Sequence, residues 1–100
     1  MIVLHVLYQL PESSRDRFLK KLEELALGEK SRQEQGNIDY SYYCSVHSLD
    51  QVLLIEVWES QAALEAHQRT PHYQEWMKIK GEYVQETKLQ KFVVNKEKEK

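Results

Sequence analysis

Glu56-Val57-Trp58-Glu59-Ser60-Gln61-Ala62-Ala63-Leu64-Glu65-Ala66-His67-Gln68-Arg69-Thr70-Pro71-His72-Tyr73 reads as the end of a strand, a short helix, a break and a new helix. Ser60 suits the N-cap position, where a hydroxyl oxygen accepts from a free backbone N–H of the first turn. Thr70 repeats that signal, and Pro71 falls at the first helical position, where its fixed φ and missing N–H cost nothing. The first helix is therefore expected to run through His67, and the second to bury Tyr73, Trp76 and Met77 with the stem of Lys80 before Gly81 ends it.

Upstream of this stretch, Val52 to Trp58 has strand character, with Leu53, Ile55 and Val57 on one face and Leu54, Glu56 and Trp58 on the other. Tyr40, Tyr42, Cys44 and Val46 alternate with Ser41, Tyr43, Ser45 and His47, a second period-two pattern. The short link Ser48-Leu49-Asp50-Gln51 makes the two runs hairpin partners. Ile2 to Leu10 is nearly continuous apolar sequence and reads as a strand buried on both faces. After Pro11, Ser13 and Asp16 have the spacing of a capping box. Phe18, Leu19, Leu22, Leu25 and Ala26 then form one helical stripe, which Gly28 is expected to end. Glu29 to Asn37 reads as loop, Thr87 to Val94 as a last strand, and residues 95–100 as a charged disordered tail.

The order is strand, helix, strand, strand, broken helix, strand. That is the ferredoxin-like β-α-β-β-α-β arrangement of the α+β class, one domain over residues 1–94 with an antiparallel sheet and helices on one face. Several strands carry apolar and aromatic residues on both faces, so the uncovered face calls for a partner or ligand, and a two-fold homodimer meets that need.

Composition excludes several functions. A net charge of -2 offers no basic footprint for nucleic acid. No apolar run approaches the roughly 20 residues of a membrane helix. Ile2-Val3-Leu4 is too short for a signal sequence and lacks a basic flank, so no export signal is expected. One cysteine, Cys44, permits no internal disulfide and fits a reducing cytoplasm; set among strand tyrosines, it is expected to be a buried, inert thiol.

Three positions point to chemistry. Glu56 lies between Leu54 and Trp58 on one strand face; a carboxyl there must be paired, hydrogen-bonded or raised in pKa, for structural or for catalytic reasons. His67 near a helix C-terminus and His72 near an N-terminus bracket the break. Helix dipoles favour the charged ring at the first and the neutral ring at the second, so the two form an acid-like and base-like pair, or merely cap backbone groups. A metal is not expected, because five-residue spacing without an adjoining acidic cluster matches no common ligand pattern. His5 is expected to be a core or pocket-lining residue.

The quoted stretch closely resembles the signature of the antibiotic biosynthesis monooxygenase domain family, roughly E-x-W-x-S-x-x-A-L-x-x-H-x-x-T-P-H followed by Phe or Tyr. Glu34-Gln35-Gly36-Asn37-Ile38-Asp39-Tyr40 is similar to that family's approach to its second strand. The resemblance implies a dimeric α/β barrel and, for several members, oxidation of a quinol or phenol by O2 without cofactor. Carried onto this chain it implies Trp58, His67 and His72 as catalytic residues, with Glu56, Tyr40, Tyr73 and Trp76 against the substrate. Other members imply other functions. One is an isomerase of a small phosphorylated carbonyl compound, with Arg69 or Lys78 as its cationic anchor; another is a ligand- or haem-binding module with His72 as axial residue. Fold alone does not choose among them.

Overall fold

The computed structural model describes residues 1–95. Its elements are β1 (Ile2–Gln9), α1 (Arg15–Leu25), α2 (Leu27–Arg32), β2 (Asn37–Cys44), β3 (Gln51–Trp58), α3 (Gln61–Gln68), α4 (Pro71–Ile79), a 3-10 turn (Lys80–Glu82) and β4 (Glu86–Val93). The strands form one antiparallel sheet in the order β2-β3-β1-β4. That is the ferredoxin-like arrangement read from the sequence. Tail residues 96–100 lie outside the described residues.

The helices cover the sheet face that carries Leu4, Val6, Tyr8, Leu54, Glu56 and Trp58. Phe18 of α1 and Trp76 of α4 meet Tyr8 of β1 edge-to-face, with ring centroids 5.5 to 6.4 Å apart. Such pairs add specificity to the large areas these rings bury. β1 is not buried on both faces as expected. Its burial alternates, and Val3, His5 and Leu7 are half-exposed on the helix-free face. That face continues through Leu53, Ile55 and Val57 to Phe92.

Five further expectations are corrected. No capping box starts α1: its N-cap is Ser14, whose hydroxyl donates to Pro11 O, while Ser13 sits at φ 60 with its N–H on Asp50. Gly28 does not end that helix. Ala26 turns left-handed (φ 52) and its N–H bonds back to Glu23, after which a second short helix takes the first part of the expected loop, as far as Arg32. The turn swings Leu27 and Ser31 fully inside, and burying a leucine is worth about 1.5–3 kcal/mol, comparable to the left-handed cost at alanine. Cys44 is exposed because it ends β2 at the sheet edge, beyond the helices. Met77 is 44% exposed, since α4 turns its other side to the core.

The caps of the quoted stretch form as read. Ser60 Oγ accepts from Ala63 N at 3.1 Å, and Thr70 Oγ1 accepts from Tyr73 N at 3.3 Å while donating to His67 O at 2.6 Å. Thr70 thus clamps both helix ends at the break. Gly36, before β2, has φ +88, and a Cβ there would stand 2.6 Å from Ala63 Cβ. Gly36→Ala is expected to destabilise the fold by more than the roughly 1–2 kcal/mol of a left-handed alanine, because β2 must also move off α3. Urea unfolding measures it; a loss under about 0.5 kcal/mol, the size of a neutral surface change, would refute the account.

Candidate active site

β3 directs Glu56 and Trp58 toward the helices, and the α3–α4 break sets His67 and His72 beside them. The residue that joins the histidines comes from elsewhere in the chain. Glu34, in the turn between α2 and β2, places one carboxylate oxygen 2.7 Å from His67 Nδ1 and 2.7 Å from His72 Nε2. Both rings donate to it, since a carboxylate oxygen only accepts. Sequence reasoning saw no acidic group near the pair, because Glu34 is 33 residues from His67 and reaches it only through the fold. Its one signal was its place in the quoted Glu34–Tyr40 stretch.

With Nδ1 donating to Glu34, neutral His67 carries its lone pair on Nε2. That atom is buried and has no hydrogen-bond partner among the described residues. It lies 3.8 Å from Glu56 Oε1, which accepts from Trp58 Nε1 at 3.0 Å. The Trp58 ring is tilted against the imidazole at 4.7 Å between centroids, and Tyr40 and Tyr73 meet it edge-on at 5.6 and 5.1 Å. His67 is therefore fixed in position and in tautomer.

Burial governs the proton affinities. It lowers the His67 pKa below its ordinary 6.5, against the upward pull of Glu34. The helix C-terminus favours the charged ring at His67, but desolvation outweighs that dipole. Burial raises Glu56 to about 7, opposed by the Trp58 hydrogen bond and aided by the Glu34 charge. The Tyr40 and Tyr73 hydroxyls are pushed up by burial and stay protonated.

A cavity of about 230 Å³ opens beside Glu56 and His67. Tyr40, Tyr73 and Trp76 line it too. His72 and Trp58 do not; they hold Glu34 and Glu56 from behind. Arg69 and Lys78, named as possible anchors, are exposed and outside the lining, where Lys80 stands instead. Glu34, His67 and His72 keep three potential metal-ligand atoms within 4.8 Å of one another, a grouping that sequence spacing did not reveal. Here that grouping is satisfied by its own hydrogen bonds.

The chain matches the antibiotic biosynthesis monooxygenase family over residues 1–79. It is 31% identical over 74 residues to the Bacillus subtilis protein named "Putative monooxygenase YcnE", covering 74% of this chain and 76% of that one. A solved protein of unknown function from Bacteroides thetaiotaomicron is 31% identical with a TM-score of 0.80, over 91% of this chain and 94% of that one. A solved Pseudomonas aeruginosa protein shares the fold at TM-score 0.84 and 24% identity, covering 95% and 94%. The protein belongs to the antibiotic biosynthesis monooxygenase family.

Proposed function

We propose that this chain oxidises a small quinol or phenolic aromatic with O2, using no bound cofactor. The observation that carries the reading is His67, a buried base of the cavity lining held by Glu34, with its Nε2 unpartnered among the described residues and 3.8 Å from Glu56 Oε1. His67 Nε2 takes the phenolic proton. The phenolate passes one electron to O2, and the superoxide formed combines with a ring carbon. Glu56, which holds its proton up to about pH 7, gives it to the peroxide. The O–O bond then breaks as the C–H proton leaves with hydroxide, yielding a quinone carbonyl and water, and the proton held by His67 returns to Glu56, so oxygen atoms, electrons and protons all balance. Tyr40, Tyr73 and Trp76 contact the ring, while Trp58 and His72 act through Glu56 and Glu34.

The test is oxygen uptake by metal- and flavin-free protein with dihydroxynaphthalene and anthracene-type quinols against an enzyme-free control. Uptake above the spontaneous rate supports the reading; none across the panel overturns it. His67→Gln serves as the site control.

We further propose a cytoplasmic homodimer, paired through the helix-free face of Val3, Leu7, Leu53, Ile55 and Val57. These side chains form a contiguous, half-exposed apolar surface, and such surfaces mark interaction sites. Ile55→Asp is expected to convert the dimer to monomer in light scattering at micromolar protein. An unchanged mass for that variant, or a monomeric wild type, would remove this face from assembly.

A further inference from the structure

We propose that the ligand of this cavity carries an oxyanion at the end remote from His67, and that the Lys80 ammonium binds it. The proposal rests on reading the cavity as the substrate site and adds to that reading a substrate class: an elongated hydroxyarene bearing a carboxylate or similar anion.

Three observations support it. Lys80 lines the cavity, although it lies beyond the last residue of α4 in the 3-10 turn. Its Nζ stands 5.4 Å from the centroid of the Tyr8 ring, on the ring's face, and among the described residues no carboxylate lies within ion-pair distance of it. Lys80 is thus half-buried, with its ammonium over the Tyr8 ring and in no ion pair among the described residues. Burial lowers its pKa, which marks a charge short of solvation, and an arriving anion would supply what water no longer does.

The register of the sheet separates the two ends. Glu56, beside His67, pairs with Leu4 of β1, whereas Tyr8, under Lys80, pairs with Thr87 of β4. Leu4, Val6 and Tyr8 form the cavity floor on one face of β1. Four residues of strand span about 13 Å. A hydroxyl at the His67 end and an anion at the Lys80 end therefore need a rigid, extended frame between them, with the apolar floor and Trp76 against its rings. A neutral quinol would leave the ammonium unanswered.

Binding of 6-hydroxy-2-naphthoate and 2-naphthol, which differ only in the distal carboxylate, tests this by calorimetry at pH 7.5. The naphthoate is expected to bind wild type about tenfold tighter, the scale of a hydrogen bond to a charged group. That preference should fall to within about twofold in Lys80→Met, which keeps the apolar stem, and persist in Lys80→Arg. Circular dichroism checks that both variants fold; the Lys80 side chain makes none of the fold's hydrogen bonds among the described residues. A tetrahedral arm, 6-hydroxynaphthalene-2-sulfonate, separates carboxylate from phosphate-like ligands by whether it matches or exceeds the naphthoate. Equal affinity of wild type for naphthoate and naphthol, an undiminished preference in Lys80→Met, or no binding of either compound would each overturn the proposal. Full preference without oxygen uptake would instead overturn the oxygenase reading and leave Lys80 in place.

Discussion

Turnover of a quinol by His67→Gln is expected to fall by about 10²–10⁴-fold, the usual contribution of a positioned general base, with KM little changed. Glutamine keeps an amide that can donate to Glu34, so the pocket stays folded while the basic lone pair disappears. The loss belongs in kcat because the base acts on the phenolic proton in the transition state. Glu34→Gln should lose less, about 10–100-fold by analogy with groups that orient a ligand histidine, and it should move the acid limb of the pH–rate profile. Glu34 raises the His67 pKa through its hydrogen bond and charge. Removing the charge lowers that pKa further, and the limb shifts to lower pH. A purely structural Glu34 would lower activity without moving the limb. Stopped-flow oxygen consumption between pH 5 and pH 8, on the roughly three-unit scale where histidines titrate, separates these outcomes. A His67→Gln variant within tenfold of wild type would take His67 out of the proton transfer.

The second large effect is on stability. Glu56 has its pKa raised in the folded protein to about 7 from an ordinary 4.5. Below the lower value the carboxyl is protonated in folded and unfolded chains alike, and it contributes no pH dependence. Between the two values the unfolded chain has released the proton and the folded chain still holds it, so stability falls as pH rises. Above about 7 both states are ionised and the loss is complete. At 1.36 kcal/mol per pH unit this amounts to about 3 kcal/mol. Glu56→Gln has nothing to ionise, and its oxygen can still accept from the Trp58 indole. It should match wild type near pH 4 and exceed it by about that amount at pH 8, in urea unfolding at one fixed protein concentration. An advantage of the same size at both pH values would show that Glu56 ionisation is not its source.

The sequence carried the fold because its signals were local. Ser60, Thr70 and Pro71 placed two helices to within a residue, and the alternation of Leu53, Ile55 and Val57 with Leu54, Glu56 and Trp58 assigned the faces of β3. Those same signals placed His67 and His72 on either side of the break. They could not say which ring faces the cavity, since that depends on a carboxylate from a turn packed on the far side of α3. Glu34 carries no periodicity of its own. Lys80 was similarly hidden: its position on α4 suggested only a buried stem, and the direction of its ammonium is set by the 3-10 turn that follows. The break at Ala26 escaped notice because alanine is a good helix former, and only the burial of Leu27 and Ser31 explains why the helix stops there.

The hydrogen bond from the Trp58 indole to Glu56 ties a fluorophore to the group that holds the pocket's proton. Its emission is therefore expected to change as Glu56 ionises, and again when the neighbouring imidazole, tilted against it at 4.7 Å, gains charge. With Trp76 replaced by phenylalanine, the light from this one side chain becomes an optical meter of the site's charge, readable without any added dye.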